Sequence, residues 1–91
     1  MIFYSEDIVK KLKKNLIPKQ IFKHMDNAFR ALDMTKDLSL FDIKKLIDSS
    51  NQERSYYRLR KGKFRAIFYI ENDDFYIIAL DKREEVYKKW Q

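Results

Sequence analysis

The chain has 91 residues, with 20 Lys or Arg against 14 Asp or Glu, one His and no Cys, and a net charge of +6. A chain near this length buries roughly 60–65% of the surface its unfolded form exposes, so one domain spanning 1–91 with a modest core is expected. Without cysteine there is no disulfide, thiolate chemistry or common zinc site, and a sole histidine cannot form a histidine metal cluster, so neither metal nor cofactor is expected.

A hydrophobic fraction of 45% with a single Gly and a single Pro is that of a folded protein rather than a linker. The excess of positive charge points to a polyanionic partner. The opening MIFYSEDIVKK has acids too early for a signal peptide, and no apolar run approaches membrane-spanning length. A cytoplasmic protein that does not engage the membrane is expected.

Met1–Tyr4 is a short apolar-aromatic run that suits a first strand, and Ser5-Glu6-Asp7 supplies a helix cap with acids in the first turn. Ile8, Val9, Leu12 and Leu16 then recur at helical spacing among Lys10, Lys11, Lys13 and Lys14, which predicts an amphipathic helix ending near Asn15 to Ile17. Those lysines are a solvated face or contacts to nucleic acid. Pro18 suits the start of a second helix, whose stripe of Ile21, Phe22, Met25, Ala28, Phe29 and Leu32 is core. His24, at the edge of that stripe, reads as structural or surface. Asp33–Leu40 is a connection, and Phe41–Ile47 begins the sheet. Lys44 and Lys45 are adjacent, so a strand sends them to opposite faces and one of them joins any basic surface there. Ser49–Arg54 is polar and reads as a loop.

From Tyr56 onward, alternation of apolar and polar residues with turn residues between predicts a meander of two hairpins. The first turn is placed at Lys61-Gly62, which would pair Arg60 with Lys63 and set Arg58 opposite Arg65. Opposed like charges destabilise a sheet by up to about 1 kcal/mol, so an external anion is expected between them. The second turn is placed at Asn72-Asp73, with Ile70 facing Phe75. Parity then puts Tyr57, Leu59, Phe64, Ala66, Phe68, Ile70, Phe75, Ile77 and Ala79 on a core face. Arg58, Arg60, Arg65, Ile67, Tyr69, Tyr76, Ile78, Leu80 and Lys82 fall on the other, either a working face or a solvated one. DKREEVYKKW reads as the last strand turning into a short terminal helix, with Trp90 as an aromatic anchor.

The segments IKKLIDSSNQERSYYRLRKGKFRAIFYI and DDFYIIALDKREEVY together resemble the RelE/ParE toxin superfamily of bacterial and archaeal toxin–antitoxin systems. The shared order is Lys-Leu, Tyr-Arg-Leu-Arg, Gly, Tyr-Arg-x-Ile-Tyr and a terminal Arg-x-x-x-Tyr, and it covers Ile43 to Tyr87. The resemblance implies an α+β fold in which two N-terminal helices pack on one face of a small twisted antiparallel sheet, with a short C-terminal helix. For the RelE branch it implies an endoribonuclease that cuts mRNA in the ribosomal A site and is inhibited by a cognate antitoxin. Arg65 matches the sheet arginine, Arg83 and Tyr87 match the terminal pair, and Arg58 falls where the branch usually has a catalytic lysine. Lys82 stands where many members place a histidine, and Tyr56 replaces a strand lysine.

RNA cleavage of this kind aligns a ribose 2′-OH with its own phosphate, neutralises that phosphate and moves two protons. Arginine serves the first two needs because its planar guanidinium grips phosphate and stays charged. The catalytic candidates are Arg65, Arg58, Arg83 and Tyr87. Arg83 and Tyr87 share one face if the end is helical, where a cation would lower the phenol from its usual value of about 10. Lys82, Glu84 and Glu85 are weaker proton-transfer candidates. Arg60, Lys63, Lys82, Lys44, Lys45 and Tyr69 are candidates for contact with RNA. Tyr69 and Tyr76 are base-stacking platforms or an ordinary cross-strand pair. Two non-enzymatic alternatives remain open: a ParE-like inhibitor of DNA gyrase, and an inactive module that binds RNA or a partner.

Overall fold

A computed structural model describes residues 1–46 and 54–82. In order, the elements are β1 (Ile2–Tyr4), α1 (Glu6–Lys13), α2 (Lys19–Thr35), a 3-10 turn (Leu38–Leu40), β2 (Ile43–Lys45), β3 (Tyr57–Lys61), β4 (Phe64–Glu71) and β5 (Asp74–Lys82). The strands form a five-stranded sheet in the order β1-β5-β4-β3-β2. Trp90 and the expected C-terminal helix lie outside the described residues, as does most of the loop placed at Ser49–Arg54.

Local chemistry sets the helix ends. The Ser5 hydroxyl accepts the Ile8 N–H at 3.4 Å, and Glu6 and Asp7 sit in the first turn against the helix dipole. Pro18 is the residue from which α2 starts, its fixed φ entering the helix without strain. Lys36 ends α2 in the left-handed region at φ 57°, its N–H reaching the Leu32 carbonyl. This helix therefore runs further than the connection placed at Asp33–Leu40.

One sheet face and the helix stripes form one core. Phe29 of α2 meets Phe68 edge to face at 5.1 Å and Phe75 at 6.3 Å, and Tyr57 stacks on Phe68 at 5.5 Å. Ile8, Met25, Ala28, Leu32, Leu59, Ala66 and Ile77 complete the buried cluster. Each fully buried aliphatic or aromatic side chain there contributes about 1.5–3 kcal/mol.

Four expectations about the sheet are corrected. First, β1 runs parallel to β5, with Ile2 against Phe75 and Tyr4 against Ile77, so the sheet is mixed rather than antiparallel. A pairing between strands so far apart leaves no local trace. Second, the first turn is Gly62-Lys63, with Lys61 opposite Phe64 and Arg60 opposite Arg65. Gly62 adopts φ +60° at the first central position, where glycine suits a type II′ turn. Arg58 therefore faces Ile67 and not Arg65, although the face of each residue is unchanged.

Third, β5 carries a bulge: Phe68 pairs with Ile77 but Ile67 pairs with Ala79, which leaves Ile78 as the extra residue. Beyond it the parity reverses. Leu80 joins Ala66 in the core, Lys82 falls opposite Phe64 on the core side, and Ala79 moves to the other face. Ser5 holds the bulge, its N–H on the Ile77 carbonyl at 2.9 Å and its hydroxyl donating to the Ile78 carbonyl at 3.1 Å. Fourth, Ile70 is exposed although its parity is that of the core. The second turn is as expected: Asn72 and Asp73, at φ 52° and 66°, form the hairpin and Ile70 faces Phe75.

Candidate nucleic-acid interface

The face away from the core is assembled by register, since directly opposed residues share a face. Lys44 lies opposite Arg58, Arg58 opposite Ile67, and Ile67 opposite Ala79. The next row is Arg60, Arg65 and Asp81. Asp42, just before β2, accepts the Arg60 backbone N–H at 3.0 Å and so stands beside the arginine end of that row. Of the adjacent lysines, Lys44 is on the cationic face and Lys45, opposite Tyr57, is on the other.

These cations are not a freely solvated surface. Arg58 is 8% exposed and Arg65 5%. Arg58 Nη2 donates to Asp42 Oδ1 at 3.0 Å, while Asp42 Oδ2 lies 3.9 Å from Arg60 Nε, beyond hydrogen-bond reach. Arg65 Nη1 donates to the Gly62 and Phe64 carbonyls at 3.0 and 3.1 Å, which ties its guanidinium to the hairpin turn. Asp81, opposite Arg65, pairs with Lys11 of α1. Of the opposed arginines, Arg60 has the Asp42 carboxylate nearby, while the Asp81 carboxylate opposite Arg65 is engaged by Lys11.

The other end of the face is aromatic. Phe3 stacks on Tyr76 at 5.1 Å and Tyr76 on Tyr69 at 4.9 Å, with interplanar angles of 16° and 12°. Tyr56 meets Tyr69 edge to face at 5.9 Å, and the Arg54 guanidinium lies 3.9 Å over the Tyr69 ring. Arg54 also pairs with Glu71 at 3.4 Å, and a hydrogen bond with Tyr56 holds its guanidinium protonated even more firmly than usual. Loss of solvent, and next the Asp74 charge, pushes the Tyr76 phenol above its usual value, so it is unsuited to taking up a proton at neutral pH. Stacking thus engages both candidate tyrosines within the sheet.

Of the residues singled out by sequence, the structure brings together Lys44, Arg58, Arg60 and Arg65, with Tyr69 two positions beyond the Ile67 row. It sets apart Lys45 and Lys82, on the core side, and Lys63, in the exposed turn. Arg83, Tyr87, Glu84 and Glu85 lie outside the described residues. His24 is exposed on α2 and lines a cavity of about 210 Å³ with Asn27, Ala28, Phe41 and Lys61. Lys61 has the parity of Leu59, so this cavity opens on the helix side of the sheet. Sequence reasoning missed Asp42 and Arg54. An acid just ahead of the Lys44-Lys45 pair was visible, but only the β2–β3 register gives it arginine neighbours.

No protein-family model and no curated protein sequence matches this chain. Solved structures do share its fold. A chain of the RelB-RelE antitoxin–toxin complex from Methanococcus jannaschii superposes with a TM-score of 0.69 at 22% identity, over 98% of this chain and 99% of that one. A chain of the archaeal RelE-RelB complex from Pyrococcus horikoshii OT3 gives 0.68 at 22% identity, over 90% of this chain and 92% of that one.

Proposed function

We propose that this protein, which has the fold found in RelE–RelB complexes, is the toxin of a toxin–antitoxin pair and a metal-independent endoribonuclease. Its substrate is ribosome-bound mRNA in the A site, so it acts in the cytoplasm, and a cognate antitoxin holds it inactive. The observation that carries the proposal is the gathering of Lys44, Arg58, Arg60 and Arg65 on one sheet face. Guanidinium groups fixed on a rigid sheet can orient and neutralise a phosphate while its neighbouring 2′-oxygen attacks. Arg65 is tied to the turn carbonyls, and Arg58 is set by Asp42. Arg83 and Tyr87 are assigned to the site by resemblance.

The test adds purified protein to a translating extract and maps reporter mRNA ends by primer extension. Codon-phased cuts are expected with wild type, and loss of those cuts with Arg65→Ala. Because Arg65 also clamps the hairpin, a thermal melt of the variant accompanies the assay, and Arg60→Ala, at an exposed position, reports on phosphate gripping without that burden. Intact mRNA with wild type refutes the nuclease. A supercoiling assay with purified gyrase then decides whether the fold serves a ParE-like inhibitor.

A further inference from the structure

We infer that Asp42 is the proton acceptor for the attacking 2′-hydroxyl, an inference that rests on the nuclease proposed above. The reaction needs a base, and Tyr76 is set against that role by its surroundings. On the cationic face Asp42 offers a carboxylate that is 50% exposed and already aligned, with Oδ1 held by Arg58 at 3.0 Å and Oδ2 outside hydrogen-bond reach of Arg60. A carboxylate has room for about four hydrogen bonds, so Oδ2 can accept one from a substrate hydroxyl.

The second observation concerns Arg60. Its guanidinium is 55% exposed, with Nε 3.9 Å from Asp42 Oδ2, whereas Arg58 Nε is buried and out of a ligand's reach. A phosphate oxygen is the acceptor that an exposed guanidinium geometry suits best. Arg60 then stands between base and phosphate, with the carboxylate on the side from which the neighbouring ribose oxygen would approach. Lys44 on β2, opposite Arg58, and Arg65 on β4, opposite Arg60, add positive charge around the pair.

In the step itself, the 2′-hydroxyl proton passes to Asp42 Oδ2 as the 2′-oxygen bonds to phosphorus. The bond from phosphorus to the 5′-oxygen breaks, the leaving oxygen takes a proton from water, and the hydroxide so formed recovers the proton held on Asp42. The products are a 2′,3′-cyclic phosphate and a 5′-hydroxyl end. The arginines stabilise the phosphorane charge. The advantage of this acceptor is positional, since it is fixed before substrate arrives.

Asp42→Asn separates proton transfer from support of Arg58, because the amide oxygen still accepts from Nη2 while the basicity is gone. With stalled ribosome complexes carrying a reporter mRNA, Asp42→Asn is expected to slow single-turnover cleavage about 10²–10⁴-fold while cosedimenting with ribosomes like wild type. Asp42→Glu should recover part of the rate. Asp42→His installs a base that titrates higher than carboxylates do, so the acid limb of the pH–rate profile should move to higher pH. Wild-type cleavage together with an Asp42→Asn rate within about threefold of it, against that expected span, overturns the inference and leaves the nuclease standing. An acid limb that does not move in Asp42→His overturns it as well, even if Asp42→Asn folds poorly. No cleavage by wild type removes the nuclease reading and the inference with it.

Discussion

The Asp42–Arg58 pair can be weighed by stability alone, independently of any activity. Exposed ion pairs are worth about 0–1 kcal/mol, whereas removing one partner of a buried pair costs about 3–5 kcal/mol. Here Arg58 is buried and Asp42 is half exposed, so the coupling should fall between, at about 1–2 kcal/mol. A domain of this size is stable by roughly 5–14 kcal/mol, so the effect is measurable without unfolding the protein. Asp42→Ala leaves a guanidinium short of solvent and of its carboxylate and should cost the full coupling. Arg58→Met, which fills the space with an apolar chain, should cost less than about 1 kcal/mol. In the Arg58→Met background, Asp42→Ala should then cost almost nothing. Urea unfolding of the four proteins reads this as a midpoint shift of about 0.5–1.5 M for Asp42→Ala alone, at slopes ordinary for small domains. Equal losses in both backgrounds, with a coupling below about 0.3 kcal/mol, would falsify the pairing that organises the cationic face.

Ser5→Ala removes both the α1 cap and the hydroxyl that satisfies the bulge carbonyl at Ile78, and should lower stability by about 1–2 kcal/mol in thermal or urea unfolding. A loss no larger than that of an ordinary surface substitution would show that the bulge is held by other means. Tyr4 donates to Asp26 at 2.6 Å, and burial first, then this hydrogen bond, pushes its phenol well above the usual range. A raised value stabilises the fold fully below the unfolded phenol's value of about 10, and that contribution is lost as pH rises above it. Wild type should therefore weaken above about pH 10 by up to 1 kcal/mol per unit more than Tyr4→Phe, after allowance for solvent screening. Parallel alkaline profiles for the two proteins would count against the linkage.

Much of this fold is written in local chemistry. The α1 cap at Ser5, the stripe from Ile21 to Leu32, the Asn72-Asp73 turn and the two-face sorting of β3 and β4 all follow from residue type and spacing. Features that depend on which distant segment lies alongside are not legible in this way. Nothing between Ile2 and Tyr4 says that the strand runs parallel to Asp74–Lys82. The bulge at Ile78 is equally silent, since IIAL alternates no differently when one residue is skipped, yet it turns Leu80 into core and sends Lys82 to the helix side. The first turn is placed one residue early by sequence, at Lys61-Gly62, because glycine satisfies positive φ at either central position. Asp42 was missed for the same reason as the parallel pairing of β1: its role is set by the register of β2 on β3.

The opposition of Arg60 and Arg65 shows how register changes a functional inference. Opposed cations on a bare sheet would argue for a bound anion as a condition of folding. Asp42 beside Arg60 meets part of that need internally, while Asp81, opposite Arg65, is engaged by Lys11. Arg58, held by Asp42, and Arg65, held by the turn carbonyls, are in place before any ligand arrives, so binding free energy is not spent on ordering them. The same arrangement limits the pull on phosphate, because Asp42 offsets part of the charge of Arg58, Arg60 and Lys44. For the nuclease proposed above, such a face grips RNA less tightly than its count of cations suggests but presents those cations in one fixed geometry. That combination is what the proposed activity needs if its substrate is delivered by another particle, where position and not affinity sets the rate.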